Sequence, residues 1–263
     1  MRAQLDEKMD QITKKAWEKN WRDIRMDEIL EIFNYVRVKK QMEIMLRVLP
    51  KIEKILEGGC GLAPYLLRLR QLGYDVEGID YNEAPLKKVL ERYPDTPVKV
   101  GDVAAVPYPD NYFGGYISLG VIEHFTEGPF RAIHEAHRVL KKGGIFFVMV
   151  PQNHIFMRIM APIRFLKRNQ MIRKIFRKPA DTHYWEQYFK RKELIAILEN
   201  GGFKVSEVHA LDHSHSLVSL SNFFRDKNTF DEASPLALKL GVWFERNFKW
   251  STACQLALVC YKK

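Results

Sequence analysis

Cysteine is scarce in this chain, three in 263 residues, and long unbroken apolar runs are missing altogether. Cys60, Cys254 and Cys260 show no metal-site spacing. So few thiols exclude a disulfide-built scaffold and predict a reduced, cytoplasmic protein. No stretch approaches the roughly eighteen consecutive apolar residues of a membrane span. The first ten residues alternate charge and lack an apolar centre, so no secretory signal is expected. Internal repeats and low-complexity tracts are absent as well. What is present is an ordinary globular composition, 46% hydrophobic, long enough for one sizeable core. The net charge is +10, unevenly placed. Arg158, Arg164, Lys167, Arg168, Arg173, Lys174, Arg177 and Lys178 occur with no acid among them. The remainder is close to balanced, so a general polyanion-binding surface is not implied.

The stretch Lys54–Pro64 organises the rest. Ile55-Leu56 suits a parallel strand covered on both faces. Gly58, Gly59 and Gly61 allow positive φ and close approach of a ligand to the backbone. Pro64 fits the first turn of a helix, where its missing N–H is not needed. Such a turn offers free N–H groups and the positive end of a helix dipole. A second strand ends at Asp80, about twenty residues on, where an acid can bind both hydroxyls of a ribose. A third, Val98–Val100, runs into Gly101-Asp102-Val103, and a fourth, Tyr116–Leu119, ends at Gly120. Glu57, Asp80 and Asp102 therefore line the carboxyl edge of one sheet, where open α/β sheets bind ligands.

Helices are expected at Pro64–Leu72, Pro85–Arg92 and Pro129–Leu140, with another over 190–200. Strands are expected at 145–151, 203–210 and 256–261. Short links between strand and helix predict parallel pairing with right-handed crossovers.

This ordered set resembles the class I S-adenosylmethionine-dependent methyltransferases, in their type 11-like branch acting on small molecules and lipids. Glu57-Gly58-Gly59-Cys60-Gly61-Leu62-Ala63 matches the family's acid-x-Gly-x-Gly-x-Gly turn, with Ala63 replacing the last glycine. Gly78-Ile79-Asp80-Tyr81, Gly101-Asp102-Val103, Tyr116–Phe125 and Arg138–Pro151 match the later segments. A dinucleotide fingerprint fits less well, because its third glycine would fall at Pro64. The resemblance implies a Rossmann-like doubly wound α/β fold with a seven-stranded sheet, its last strand antiparallel between the fifth and sixth. An N-terminal helical cover would occupy 1–50 and the methyltransferase domain 51–263, with helical insertions at 153–182 and 211–250.

The resemblance also implies a cofactor, S-adenosyl-L-methionine, leaving as S-adenosyl-L-homocysteine. Asp80 and neighbouring Tyr81 are assigned to the ribose side, Asp102 and Val103 to the adenine edge. Gly58, Gly59, Cys60 and Gly61 approach the methionine part, with Glu57 orienting the turn. Leu119 and Gly120 lie beneath the sulfonium. Trp17 and Trp21, one turn apart, form the closing face of the cover; plain packing on the sheet is the other reading. The catalytic candidates are His124 and His183, for each of which a structural role is the alternative. His209, His213 and His215 lack a fourth ligand of fitting spacing and read as solvent-exposed, so no metal is expected.

The loop Ser118-Leu119-Gly120-Val121 lacks the Asn/Asp-Pro-Pro-Tyr of relatives that methylate base or amide nitrogens. This favours a small-molecule or lipid-linked acceptor, at oxygen. A nucleic-acid methyltransferase and a non-catalytic cofactor-binding subunit are the rival readings. Residues 153–182 form a basic amphipathic segment of two short helices, broken near Pro162 or Asn169. It reads as a helical lid, as contact with an anionic membrane through 155–178, or as a nucleic-acid surface with few aromatics for stacking.

Overall fold

The computed structural model of the chain describes Trp17, Trp21 and residues 24–168, 186–227, 229 and 232–263. Its strands are β1 (Ile55–Gly58), β2 (Val76–Asp80), β3 (Val98–Val100), β4 (Phe113–Leu119), β5 (Leu140–Pro151), β6 (Phe203–Leu211) and β7 (Gln255–Lys262). They form one mixed sheet in the order β3-β2-β1-β4-β5-β7-β6, with the antiparallel strand near one edge. All four residues of β1 are buried, as a central strand covered on both faces requires. β1 pairs in parallel with β2 and with β4, Gly58 standing opposite Ile79 and Ser118. That register brings the carboxyl ends of three strands level.

The helices are α1 (Val36–Val48), α2 (Pro64–Gln71), α3 (Glu83–Arg92), α4 (Phe130–Val139), α5 (Ile155–Arg168), α6 (Arg191–Asn200), α7 (His213–Val218) and α8 (Pro235–Thr252). A 3₁₀ helix, Met26–Asn34, precedes α1. α4 shows why these segments coil as they do. Its buried residues Ala132, Ile133, Ala136 and Val139 recur at one, three and three residues and fall on one face. That face joins the core of Phe113, Tyr116, Phe146, Phe203 and Leu258.

Two units are distinguishable within the chain. The sheet unit takes residues 1–151, 184–209 and 256–263; the second takes 152–183 and 210–255. The second unit has its own apolar cluster of Leu217, Val218, Ala233 and Ala237, with Phe156 and Phe244 packed on it. Gly241 lets α8 approach α7, since a Cβ there would lie 2.8 Å from the Ser214 nitrogen.

One of the two break points expected in the basic segment is excluded here, and the expectation for the histidines is corrected. The helix from Ile155 does not break at Pro162 but continues to Arg168. Pro162 removes one intrahelical bond, yet it is exposed, so the freed carbonyl can turn to water. Asn169 lies outside the described residues. The histidines after β6 are not all solvent-facing either: His213 is buried, with Nδ1 2.8 Å from Thr252 Oγ1. His209 is half-buried beside Glu207 at 2.7 Å. The hydroxyl of Thr252 gives the His213 ring a polar partner inside the second unit, which the surrounding polar sequence did not reveal.

Candidate functional site

The turn after β1 is closed by backbone bonds to the end of β2. The N–H groups of Gly59 and Cys60 both donate to the Ile79 carbonyl, at 2.8 and 3.0 Å. This folds the chain tightly across the end of β2 and places Gly59 and Gly61 at φ +73° and +53°. A Cβ on Gly59 would sit 2.5 Å from Val121 Cγ2, and one on Gly61 2.9 Å from Trp21 Cζ2. Ala63, the departure from the family pattern, also holds a left-handed backbone, φ +54°. Such a conformation costs a residue with a side chain about 1–2 kcal/mol.

Two buried carboxyl groups brace the turn. Asp80, 3% exposed, accepts the Gly61 N–H on Oδ2 at 2.9 Å and the Asn82 N–H on Oδ1 at 2.8 Å. It thereby ties the end of β2 to the glycine turn, with its carboxylate orientation set by backbone. Glu57, also 3% exposed, accepts the Leu66 N–H on Oε2 at 2.9 Å, in the first turn of α2. Burial pushes its carboxyl up to about 8, against the opposing pull of that N–H, with the Asp80 charge adding to the rise. Burial likewise holds the Cys60 thiol well above its ordinary range, beside Glu57 and Asp80. Cys60 is thus a packing residue of the turn and not a nucleophile.

At the third strand end, Asp102 is exposed and its Oδ1 accepts the Ala104 N–H at 2.8 Å. Val103 behind it is buried. Gly101 N–H donates to the Asp80 carbonyl at 3.0 Å, which links this loop to the previous one. Tyr81 is exposed. At the fourth end, Gly120 has φ +69° and donates to Met149 O at 2.9 Å, turning the chain sharply beyond Leu119.

His124 ends a short 3₁₀ turn, Ile122–His124. Trp17 meets its ring edge-on at 5.8 Å and stacks on Trp21 at 5.2 Å. The two tryptophans therefore bridge His124 and Gly61, and the Lys88 ammonium anchors the Trp21 carbonyl at 3.0 Å. The structure brings together Glu57, the glycine turn, Asp80, Gly120 and His124. His183 lies outside the described residues.

Two residues here escaped the sequence reading. Asn82 is 1% exposed and caps α3, its Oδ1 accepting the Ala84 N–H at 3.1 Å. An asparagine just ahead of an acidic first turn was the available signal. Glu123, between the two histidine-side residues Ile122 and His124, is 2% exposed. Burial raises its carboxyl well above the ordinary range. Its Oε1 lies 3.5 Å from the point where a Cβ on Gly120 would be, and its carbonyl accepts the Gln187 N–H at 2.9 Å. A surface cleft lined by Phe130, His134, Ile197 and Gly201 holds none of these residues.

The residues fit a nucleoside-bearing cation. Val121 and Trp21 border Gly59 and Gly61 closely enough to exclude a Cβ there, and the carboxyl groups of Glu57, Asp80 and Asp102 come from successive strand ends.

Residues 56–148 match the family model described as a methyltransferase domain. Over 166 residues the chain is 30% identical to a protein of Mycolicibacterium smegmatis named a probable S-adenosylmethionine-dependent methyltransferase, covering 63% of this chain and 58% of the relative. The chain thus spans little more than half the length of that curated relative. It is 24% identical over 217 residues to a ubiquinone biosynthesis O-methyltransferase of Pelagibacter ubique, covering 78% of this chain and 86% of the relative. A solved S-adenosylmethionine-dependent methyltransferase of Thermotoga maritima shares the fold, with TM-score 0.59 and 18% identity over 97% of this chain and 100% of that one. The matched segment begins in β1 and ends in β5, enclosing the glycine turn, Asp80 and the loop after β4; it resembles a methyltransferase domain, its relatives include S-adenosylmethionine-dependent methyltransferases, and the chain has the class I Rossmann-like methyltransferase fold.

Proposed function

We propose that the chain transfers a methyl group from S-adenosylmethionine to a small-molecule or lipid-linked acceptor, at an oxygen atom. The observation that carries this reading is the buried Asp80 carboxylate, held by the N–H groups of Gly61 and Asn82 at the end of β2 beside the glycine turn. When bound, the cofactor supplies an electrophilic methyl group on a sulfonium. The protein's task is then to hold two reactants in line, and well-oriented reactions reach effective molarities of about 10⁵–10⁸ M.

Each residue has a part in that positioning. Asp80 accepts from the ribose hydroxyls, with Tyr81 beside it. Asp102 and Val103 meet the adenine edge by side chain and backbone. Gly58, Gly59, Cys60 and Gly61 border the methionine portion, and Glu57 fixes the turn through α2. Leu119 and Gly120 form the floor under the sulfonium. His124 accepts the proton of a hydroxyl acceptor, a role worth about 10²–10⁴-fold. His183 is a second candidate for that role. An acceptor oxygen is supported by the relative named for O-methylation in ubiquinone biosynthesis.

Titration calorimetry with S-adenosylhomocysteine tests the site. Binding by the wild type and none by Asp80→Ala is expected; binding that survives the substitution would sink the assignment. His124→Ala should leave that binding intact while lowering turnover by about 10²-fold or more. Contact of residues 155–178 with anionic membrane is proposed alongside, supported by exposed Ile155, Arg158 and Ile159 on α5. Neutralising Arg173, Lys174, Arg177 and Lys178 should then weaken sedimentation with anionic vesicles.

A further inference from the structure

Helix α8, in the second unit, turns a narrow face inward. Ala237 and Gly241 are buried, and Leu238, Leu240 and Phe244 are only partly covered. Leu236, Lys239, Trp243 and Arg246 follow one another at steps of three and four residues, so they share one stripe of the helix. All four are exposed. Trp243 keeps 51% of its surface in solvent and Phe248 48%, with their rings 5.4 Å apart. The helical path breaks at Phe248, φ −138° and ψ 36°. Just beyond it, the ammonium of exposed Lys249 lies 5.4 Å from the ring centroid of exposed Trp250. Glu245 is the one acid in α8, and it lies off the stripe and is partly buried. Among the described residues, Lys239, Arg246 and Lys249 join no ion pair.

Large aromatic side chains left in water beside unpaired cations require an explanation. We propose that this face of α8 seats on an anionic membrane surface. Tryptophan and phenylalanine enter the headgroup and acyl boundary, while lysine and arginine stems lie along apolar matter with their charges on lipid phosphates. No helix among the described residues is long and apolar enough to cross a membrane, so the contact is one of lying on the surface. Two other occupants fit less well. Centres of protein interfaces are depleted in lysine, whereas here Lys239 and Lys249 flank the aromatics. A second copy placed by two-fold symmetry would set the same cations against each other. The inference goes beyond methyl transfer and stands without it.

The test uses the full chain and vesicles of phosphatidylcholine with and without phosphatidylglycerol. The wild type should co-sediment with the phosphatidylglycerol vesicles, less at higher salt, and not with phosphatidylcholine alone. Replacing Lys239 and Arg246 by Ser should weaken partitioning by about fivefold per cation removed. Trp243→Ser with Phe248→Ser should weaken it by about tenfold or more. Circular dichroism and calorimetry with S-adenosylhomocysteine on the same variants show that both units remain folded, which separates a failed membrane face from a failed cofactor site. No sedimentation by the wild type, or unchanged sedimentation by the α8 variants, overturns the proposal. So does a dimer seen by analytical ultracentrifugation that Trp243→Ser dissolves, since the face would then meet another copy of the chain.

Discussion

Asp80 and Glu57 are both carboxyl groups, both buried at adjoining strand ends, yet they are held differently. Asp80 accepts two backbone N–H groups, one on each oxygen, and such bonds stabilise the charged form. Glu57 accepts one, and burial dominates, leaving its carboxyl at about 8. Asp80→Asn keeps the shape and removes the charge. Hydrogen bonds to charged groups are worth about 1.5–3 kcal/mol, so affinity for S-adenosylhomocysteine should fall about 10- to 150-fold by calorimetry. Glu57 makes a pH prediction. Its folded pKa stands above the ordinary 4.5, so the folded state holds a proton that the unfolded state has lost. Its contribution to stability is complete below pH 4.5 and is lost as pH rises through about 8. Chemical denaturation across that window should show ligand-free stability falling with pH, and Glu57→Gln should flatten the slope. The identity of these acids was legible in the sequence because strand ends and glycines mark their positions. Their protonation was not, because it depends on how much water is excluded at Glu57, and no spacing reports that. Glu123 was missed for the same reason: in the sequence it is one acid between Val121-Ile122 and His124-Phe125, and only folding shows that its carboxyl is buried.

At the scale of elements, the segments with a clear period were the readable ones. The apolar spacing of α4 and the all-buried β1 follow directly from their side chains. Of the two break points expected, near Pro162 or near Asn169, the first is not used, because an exposed site tolerates the local sterics and the one bond that proline removes. A helix that continues through proline is under local strain, so Pro162→Ala should raise the stability of the second unit by about 1–3 kcal/mol, read from its thermal midpoint. Asn82 makes the opposite case. Its side chain caps α3, and Asn82→Ala should cost about 1 kcal/mol. The Trp17–Trp21 pair was visible as a helical repeat, but its placement against Gly61 and His124 depends on tertiary packing. Trp21→Ala removes the ring lying over Gly61 and should weaken S-adenosylhomocysteine binding by about tenfold. If calorimetry finds the affinity unchanged, the pair serves the packing of the sheet unit alone.

Over the whole molecule, the residues proposed to hold the cofactor are concentrated in one of two units. Glu57, the glycine turn, Asp80, Asp102 and His124 all belong to the sheet unit, as do the two tryptophans, whereas α5, α7 and α8 build the second around its own apolar cluster. The first was readable from sequence because parallel strands and tight turns impose strong local patterns. The second was readable only as two helical insertions, 153–182 and 211–250, because nothing in either stretch reports that they pack together around one apolar cluster. This division has a thermodynamic consequence. A ligand that binds only folded protein stabilises it by RT ln(1 + [L]/Kd), about 2.7 kcal/mol at a hundredfold excess over Kd. Scanning calorimetry with S-adenosylhomocysteine should therefore raise the transition in which the sheet unfolds. In a chain carrying Trp17→Phe, Trp21→Phe and Trp185→Phe, tryptophan fluorescence comes from Trp243 and Trp250 of α8 and should follow the second unit. Were that signal to melt at an unshifted temperature while the sheet transition rises, the units unfold separately and the ligand's contacts are confined to the strand tips. A shift of equal size in both would mean that binding energy at the tips is shared by the second unit. In Asp80→Asn, melted at the same ligand concentration, either shift should shrink, because both originate in the bonds that this carboxylate orients.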